Sequence, residues 1–217
     1  AAGRQARARA AAVAQLAEAA GDAELPFRMA RDHLAPTRRA MRWLHPRAFP
    51  GLLPAAAARA GADEDVYLAI MRRESAFRPD ARSGAGAIGL VQLIPPTAER
   101  LAAVLRLRRD AVRHLELPEV SVPLGAAYLG LLAERFGDPA LVIAAYNAGP
   151  VAVARWAKAG AGAPLDAWVE DIPFRETRRY VKNVSADAAT YRALWGRTAS
   201  AVDPERRVPA PREGVGF

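Results

Sequence analysis

Hydrophobic residues recur along most of the chain at intervals of three and four positions, and they rarely alternate one by one. This spacing is typical of amphipathic α-helices, because positions i, i+3, i+4 and i+7 share one face of a helix. Alanine supplies much of the hydrophobic fraction, and it has the highest helix propensity of all residues. The sequence therefore predicts a mainly α protein. The predicted helices cover residues 4–20, 25–34, 55–61, 97–104, 124–136, 141–145, 151–157 and 174–194, and one more begins after Asp63 and includes Glu74.

Prolines divide the predicted helices into separate parts of the chain. Pro46, Pro50 and Pro54 cannot all lie inside one helix, so they mark a boundary. The end of the chain is rich in proline, arginine and glycine, which favours an extended conformation. The predicted parts are a helical segment at 1–48, a main domain at 49–200 and an extended tail at 201–217.

Composition excludes several kinds of chemistry. The chain has 217 residues, of which 52% are hydrophobic, and this is enough to bury a core. It has no cysteine, which excludes thiol nucleophiles, disulfide bonds and iron–sulfur clusters. His33, His45 and His114 lack the spacing of metal ligands, so neither a metal nor a cofactor is predicted. The apolar stretches are broken well before the roughly 18 residues that a membrane span requires.

The formal net charge of +8 comes almost entirely from arginine and suggests an anionic polymer as partner. Nucleic acid is the obvious candidate for such a partner. The arginines, however, occur singly or in pairs, and no aromatic-rich RNA-binding strand or basic zipper accompanies them. The sequence therefore favours a solvated basic surface, and nucleic acid is not predicted as a partner.

The most informative residue is Glu74, in the helix that follows Asp63. It comes four residues after Ile70 and seven after Tyr67, and so shares their hydrophobic face. Partial burial on that face would disfavour the ionised carboxylate and raise its pKa, as a general acid near neutral pH requires. Spacing alone leaves an alternative open, in which Glu74 is a surface acid paired with Arg78 at i+4.

Three motifs occur in order around and after this acid. The first begins at Glu74 and reads ESAFRPDARSGAGAIGLVQLIPPTA, the second reads AAYNAGP at 144–150, and the third reads IPFRETRRYVKNV at 172–184. Together they resemble the signature of the soluble lytic transglycosylases. The third motif resembles that of the branch of the large periplasmic enzyme, whose catalytic domain follows a helical superhelix. With its flanking sequence, the resemblance covers about residues 49–196.

The resemblance implies a lysozyme-like catalytic domain at 49–200 that cleaves peptidoglycan. The implied reaction breaks the β-1,4 bond between N-acetylmuramic acid and N-acetylglucosamine and forms a 1,6-anhydro sugar. Glu74 would act alone, first as general acid and then as base, whereas most glycosidases use two carboxylates. No metal and no cofactor are implied. The expected location is the periplasm or cell envelope, and the expected partners are peptidoglycan glycan strands and other cell-wall enzymes.

The resemblance also implies which residues hold the sugar. Tyr146 would form a hydrogen bond near Glu74. Val91 and Ile94 stand where the family commonly has methionine, which changes the fine shape of the sugar subsite they would line. The predicted substrate-binding residues are Ser75, Ser83, Gln92, Ile94, Tyr146, Asn147, Ala148, Glu176 and Tyr180.

Each motif also has a structural interpretation that the residues alone leave open. Gly84, Gly86 and Gly89 permit a tight loop beside a ligand, but they suit an ordinary turn equally well. Tyr146 ends an apolar helix, where a core aromatic is common. Glu176 lies in the first turn of a predicted helix, where an acid stabilises the helix dipole. By resemblance, Glu176 lines the glycan groove and does not attack the sugar.

Three other functions stay open at this point. A lysozyme-type hydrolase on the same scaffold would use water in place of the sugar hydroxyl. A non-catalytic peptidoglycan-binding module is disfavoured because the motif around Glu74 is intact. A nucleic-acid binder rests on charge alone. Residues 1–48 weakly resemble the last helices of the superhelical domain that precedes the catalytic domain in the large enzymes.

Overall fold

The structure, a computed structural model, describes residues 2–107, 109–196 and 205–213. The helices, numbered in chain order, are α1 (Ala2–Ala19), α2 (Glu24–His33), α3 (Arg38–Leu44), α4 (Leu53–Ala60), α5 (Glu64–Ser75), α6 (Pro95–Val104), α7 (Pro118–Phe136), α8 (Pro139–Ala148), α9 (Pro150–Ala159), α10 (Leu165–Glu170) and α11 (Arg175–Trp195), with a 3-10 helix at Arg109–His114. Among the described residues, extended pairing is limited to isolated bridges. The predicted mainly α class is therefore confirmed.

Proline explains where the observed helices differ most from the predicted ones. Helix α6 begins at Pro95 instead of residue 97, because the first turn of a helix needs no N–H from its own residues. Helix α7 begins at Pro118, six residues earlier than predicted, and continues through Pro123. We attribute this tolerance to burial, since residues on both sides of Pro123 are in the core. The buried residues next to it are Ser121, Val122 and Leu124.

Two short helices were not predicted. Helix α3 buries only Ala40 and Trp43, and α10 buries only Leu165 and Trp168. A helix of six or seven residues has too few buried positions to reveal a helical period in the sequence. Tertiary packing, and not local pattern, determines that these segments are helical.

The centre of the main domain is α8. Its residues from Ala140 to Ala145 are all buried, so the helix is hydrophobic all round and is covered by its neighbours. Helices α5, α7, α9 and α11 pack around it, and α11 also packs along α5. This arrangement brings the C-terminal end of α5 beside α11.

The side chain of Tyr67 on α5 reaches α7 at a position where α7 has a small residue. Tyr67 of α5 is fully buried, and its hydroxyl donates to the carbonyl oxygen of Val122 at 2.7 Å. A Cβ atom added at Gly125 of α7 would lie 2.5 Å from the hydroxyl oxygen of Tyr67. Only glycine therefore allows this tyrosine to pack here, and the contact fixes α5 against the core.

The helical segment at 1–48 has a small cluster of its own and also contacts the main core. Ala14, Ala30 and Trp43 are buried together between α1, α2 and α3. Phe27 of α2 belongs to the main core and packs edge-on against Phe77, with ring centroids 5.5 Å apart. The segment is thus fastened to the region just after Glu74, and its status as a separate domain stays a prediction.

The predicted tail at 201–217 is described from residue 205 to residue 213, and the rest of it lies outside the described residues. An extended conformation of the tail stays a prediction, and its described part is docked on the domain. Val208 is buried, and its backbone exchanges hydrogen bonds with Gly162 and Ala163. Arg206 forms an ion pair with Asp138, the N-cap residue of α8. These contacts hold the tail against the start of α8 and against the residues just before α10.

Candidate active site

Glu74 lies in the last turn of α5, where the chain leaves the helix abruptly. Asp63 caps the start of α5, accepting from the backbone N–H groups of Asp65 and Val66, as the sequence predicts. The helix ends because Ala76 and the residue after it have positive φ angles, which stop helical hydrogen bonding. Glu74 is therefore held at the C-terminal end of its helix, at the edge of the core, and not in the middle of a helix.

Ser75 fixes this helix end to the loop that follows it. Its side chain is buried, and the hydroxyl lies 2.8 Å from the carbonyl oxygen of Leu90 and 3.2 Å from that of Met71. The sequence predicts that Ser75 contacts the substrate, but the structure gives its hydroxyl two internal acceptors. Ser75 therefore ties α5 to the loop at 83–94, and its contact with the substrate stays a prediction.

The Glu74 carboxylate is half-buried, and its contact is with a tyrosine. The hydroxyl of Tyr180, on α11, donates to Oε1 of Glu74 at 2.5 Å. The alternative pairing with Arg78 is not formed, since the Nε of Arg78 points to the carbonyl oxygen of Ser75 at 3.4 Å. Two residues separated by 106 positions in the sequence thus meet at the centre of the site.

Burial raises the pKa of Glu74 above its ordinary value. The hydrogen bond from Tyr180 opposes this by stabilising the carboxylate, and the negative charge of Glu176 adds to the increase. Burial and the charge of Glu74 in turn raise the pKa of Tyr180 well above its usual range, so that the phenol keeps its proton. The site therefore contains an acid whose protonated form persists to higher pH than that of an exposed glutamate.

Tyr146 lies near Glu74, and the hydrogen bond it makes there is to a backbone carbonyl and not to the carboxylate. Its hydroxyl donates to the carbonyl oxygen of Val91 at 2.8 Å, and its ring packs against that of Tyr128 at a centroid distance of 5.1 Å. The charge of Glu74 contributes to raising the pKa of Tyr146, after the larger effect of burial. Tyr146 thus holds the loop, while Tyr180 is the residue that bonds the acid.

The loop at 83–94 is closed by its own polar groups. The Ser83 hydroxyl oxygen accepts from the backbone N–H of Ala87 at 3.0 Å. The Gln92 amide nitrogen donates to the carbonyl oxygens of Ala81 and Gly89 at 3.1 and 2.9 Å. These bonds orient Ser83 and Gln92 within the loop, and a contact of either with a sugar stays a prediction.

A backbone contact explains one of the three loop glycines. At Gly89, which has a positive φ angle, an added Cβ would collide with the carbonyl of Leu115. The loop therefore requires glycine there for close packing. Ile94 follows the loop as the N-cap residue of α6 and is 43% exposed, so its side chain is available to a ligand.

The second motif forms the junction between α8 and α9. Asn147 accepts a hydrogen bond from the hydroxyl of Thr177 at 2.7 Å, which ties the end of α8 to the start of α11. Ala148 is the last residue of α8, and Gly149 then turns the chain with a φ angle of 86°. Asn147 and Ala148 are half-buried and lie on the α8 side of the site.

Glu176 is exposed in the first turn of α11. Its position suits the positive end of the helix dipole, as the sequence predicts. Its charge also reaches Glu74, since it contributes to the raised pKa of that residue. The structure therefore puts Glu176 on the same side of α11 as Tyr180, at the edge of the site.

A cavity of about 330 Å³ adjoins Glu74 on the side of α2. Its walls come from α2 and from the end of α5, and five of its lining residues are Arg28, Arg31, Arg72, Arg73 and Arg78. Part of the arginine excess is thus concentrated beside the acid, which the scattered sequence positions did not reveal.

A larger cavity of about 770 Å³ lies between α4 and α7 and is lined mainly by apolar residues. Within the described ranges, no group of three histidine, aspartate or glutamate side chains could hold a metal ion.

Sequence reasoning missed a buried acid behind the site. Asp187 of α11 is 6% exposed and bonds Arg72, Arg73 and His45. A signal existed, because Asp187 comes seven residues after Tyr180 and three after the buried Val184 of the same helix. An acid on the apolar face of a predicted helix is an exception that a motif search overlooks.

Among the described residues, a mainly helical domain holds a half-buried glutamate at a helix end, with a tyrosine hydroxyl as its hydrogen-bond donor, and this arrangement fits the lysozyme-like class of fold. The sequence matches two family models, the Transglycosylase SLT domain at residues 52–168 and the Soluble lytic transglycosylase helical domain at residues 171–199. The chain therefore belongs to the transglycosylase SLT family. The helical-domain match does not fall on residues 1–48, so the predicted resemblance of that segment stays a prediction.

The curated relatives are named soluble lytic murein transglycosylases, and their chains are much longer than this one. The chain is 41% identical over 139 residues to the soluble lytic murein transglycosylase of Salmonella typhimurium, covering 62% of this chain and 21% of that protein. It is 40% identical over 137 residues to the soluble lytic murein transglycosylase of Escherichia coli K12, covering 61% of this chain and 21% of that protein. The chain thus spans about a fifth of the length of these relatives.

Solved structures agree in fold. The lytic transglycosylase Slt of Pseudomonas aeruginosa, solved as an inactive glutamate-to-glutamine mutant, superposes with a TM-score of 0.79 at 35% identity. The 70 kDa soluble lytic transglycosylase of Escherichia coli superposes with a TM-score of 0.82 at 31% identity. The superpositions cover 94% and 93% of this chain and 33% of each of those chains. In the part of the chain that the structure describes, no helix is both long enough and apolar enough to cross a membrane.

Proposed function

We propose that the protein is a peptidoglycan lytic transglycosylase. It cleaves the β-1,4 bond between N-acetylmuramic acid and N-acetylglucosamine and leaves a 1,6-anhydro sugar at the new end. The observation that carries this proposal is the state of Glu74, a half-buried acid with a raised pKa and a single hydroxyl partner, in a chain of the transglycosylase SLT family.

The first step needs Glu74 in its protonated form. The carboxylic acid donates its proton to the glycosidic oxygen as the bond from C1 of the muramoyl sugar to that oxygen breaks. The raised pKa supports this role, because a larger fraction of Glu74 carries the proton near neutral pH than in an exposed glutamate. The leaving group departs with a neutral hydroxyl.

The second step uses the same residue as a base. The Glu74 carboxylate takes the proton of the muramoyl 6-hydroxyl as that oxygen bonds to C1, and the enzyme returns to its starting protonation state without consuming water. Tyr180 supports this step, because its hydrogen bond to Oε1 stabilises the carboxylate form. Oε2 is then the oxygen that exchanges the proton with the sugar.

Substrate binding is proposed for the surfaces on both sides of Glu74. Ser83, Gln92 and Ile94 line one side, and Asn147, Ala148 and Glu176 the other. The arginine-rich surface suits a polymer that carries carboxylates on its peptide stems. We further propose that the protein works in the cell envelope or periplasm, where its substrate is, and that other cell-wall enzymes are a class of partner open to test.

A lysozyme-type hydrolase is the second candidate, and one observation favours it. The charge of Glu176 contributes to the raised pKa of Glu74, so a second carboxylate lies in the neighbourhood of the acid, as a two-carboxylate hydrolase requires. The exposed position of Glu176 argues against this, because neither burial nor a hydrogen bond in the structure prepares it to act as a base.

Product analysis tests the proposal directly. Purified protein is incubated with sacculi, and the released muropeptides are identified by mass spectrometry. We expect 1,6-anhydro ends, which are lighter by one water than the reducing ends of hydrolysis. The matched control is Glu74→Gln, which we expect to bind sacculi without cleaving them, in agreement with the inactive glutamate-to-glutamine mutant of the Pseudomonas aeruginosa relative. Reducing ends would favour the hydrolase, and cleavage by the Glu74→Gln variant would refute the role of Glu74.

A further inference from the structure

Asp187 is the centre of a buried charged cluster that borders the site. Its Oδ2 accepts from Nη1 of Arg72 at 2.8 Å and from Nε of Arg73 at 2.5 Å. Its Oδ1 lies 3.4 Å from Nε2 of His45. Only 9% of the Asp187 side chain is exposed, so these partners replace most of the water that an aspartate would bind. The four residues are called the Asp187 cluster below.

The cluster joins the two helices that carry Glu74 and Tyr180. Arg72 and Arg73 are the two residues before Glu74 on α5. Asp187 comes seven residues after Tyr180 on α11, and two turns of a helix bring these residues to the same face. A displacement of Asp187 relative to α5 therefore moves Tyr180 relative to Glu74.

Further contacts keep the cluster from shifting as a unit. His45 lies within 3.1 Å of the carbonyl oxygen of Met41 through Nδ1, and its ring packs edge-on against Tyr191 at 5.1 Å. The indole N–H of Trp195 donates to the carbonyl oxygen of His45 at 2.9 Å. The segment after α3 thus braces the cluster through His45.

Asp187 stays ionised in this environment. Burial alone would raise its pKa, but hydrogen bonds from His45 and Arg73 and the charge of Arg72 outweigh burial, so that the pKa falls below its ordinary value. A fixed negative charge between two guanidinium groups holds its geometry over the whole neutral range.

We propose that Asp187 is a positioning residue, which sets the contact between Tyr180 and Glu74 by holding α11 in register with the end of α5. It acts through Tyr180 and touches neither Glu74 nor the proposed substrate. The role of Glu74 as proton donor rests on the proposed function, whereas the positioning of Tyr180 does not. The pKa of Glu74 reports the contact directly, because the Tyr180 hydrogen bond lowers it.

The titration of Glu74 depends on the charged and titratable groups around it. Tyr180 and Glu176 face it from α11, and Tyr146 faces it from α8. Glu24, Arg28 and Arg31 of α2 line the adjoining cavity, together with Arg78 and the arginines of the cluster. A change of charge at Asp187 and a displacement of Tyr180 have opposite effects on the Glu74 pKa. Loss of the negative charge would lower it, and loss of the Tyr180 hydrogen bond would raise it.

The experiment follows the carboxyl carbon of Glu74 by NMR across pH in protein labelled with carbon-13 on glutamate, with Glu74→Gln to assign the signal. We expect Tyr180→Phe to raise the Glu74 pKa by about one unit. Asp187→Asn should raise it by less, because loss of the negative charge opposes loss of the Tyr180 hydrogen bond, and the double variant should not exceed Tyr180→Phe. Asp187→Glu keeps the charge and changes only the geometry, so a smaller increase is expected. The matched control is Asp138→Asn, which weakens the ion pair with Arg206 and should leave the Glu74 pKa unchanged.

Several results would overturn the proposal. A lower or unchanged Glu74 pKa in Asp187→Asn would mean that Asp187 does not hold Tyr180 in contact. Additive shifts in the double variant would show that the two residues act independently. Loss of the folded state in both Asp187 variants would assign the residue to stability alone. The titration requires no turnover. The positioning role of Asp187 can therefore be refuted while the transglycosylase proposal stands, and the transglycosylase proposal can be refuted while the positioning role stands.

Discussion

Two carboxylates beside the same end of α5 have opposite acid–base properties. Glu74 has one neutral donor, the Tyr180 hydroxyl, and burial prevails, so its pKa is raised. Asp187 is more deeply buried, but charged donors surround it and its pKa is lowered. A neutral hydroxyl does not compensate for lost water around a carboxylate, whereas guanidinium groups do. The first environment suits proton transfer, and the second suits a fixed joint between helices.

The largest expected effect is the loss of activity on substitution of Glu74. Glu74→Gln removes the transferable proton and keeps the shape of the side chain, so cleavage of sacculi should fall by about 10²- to 10⁴-fold. The rate of release of soluble muropeptides measures this. Glu176→Gln is the comparison variant, and if it only lines the groove its loss should be much smaller. Equal losses in the two variants would instead indicate a pair of catalytic carboxylates.

The next effect is the loss of stability on substitution of Asp187. Asp187→Ala leaves two guanidinium groups without their shared partner, and the free energy of unfolding should fall by about 3–5 kcal/mol. Urea unfolding followed by circular dichroism measures the change. The comparison variant is Glu170→Ala, which removes an exposed ion pair between Glu170 of α10 and Lys182 of α11. Its cost should be at most about 1 kcal/mol. Similar costs for the two variants would show that burial gives the Asp187 cluster no special weight.

The difference between the two acids also marks how far the sequence predicts the site. Glu74 could be predicted because its helix has a clear cap at Asp63, a regular apolar face and a recognisable motif after it. The Tyr180 contact could not, because it joins positions 106 residues apart and depends on how α11 packs along α5. The bond of Ser75 to the Leu90 carbonyl oxygen could not be predicted for a related reason, since a polar residue in a motif can bond the backbone as readily as a ligand.

The fold could be predicted where a helix is long enough to repeat its hydrophobic period, and it was predicted poorly where a helix is short. Helix α11 was predicted at 174–194 and found at Arg175–Trp195, because its length shows the helical period several times over. The docking of residues 205–213 was missed, since it depends on main-chain bonds to residues near 162 that leave no pattern in either segment. Local pattern determines the long helices, and tertiary contact determines the remainder.

The two tyrosines beside Glu74, Tyr146 and Tyr180, can be compared in the same way, because their hydroxyls donate to different acceptors. Tyr146→Phe leaves the Val91 carbonyl without its donor, and the free energy of unfolding should fall by about 1–3 kcal/mol. The pKa of Glu74 should change little in this variant, because Tyr146 does not bond the carboxylate. Urea unfolding and the NMR titration measure the two quantities. An increase in the Glu74 pKa as large as in Tyr180→Phe would mean that Tyr146, and not Tyr180, controls the acid.

The smallest expected effect is the pH dependence of stability, and its sign differs between the two acids. The folded state raises the pKa of Glu74 above the ordinary 4.5, so its contribution is complete below that pH and is lost as pH rises through the folded pKa. The folded state lowers the pKa of Asp187 below the ordinary 3.8, so its contribution is present above that pH and is lost as pH falls through the folded pKa. Thermal unfolding across pH measures both. Glu74→Gln should reduce the loss of Tm on the alkaline side and Asp187→Asn the loss on the acid side, and an exchange of the two would contradict the environments described for both carboxylates.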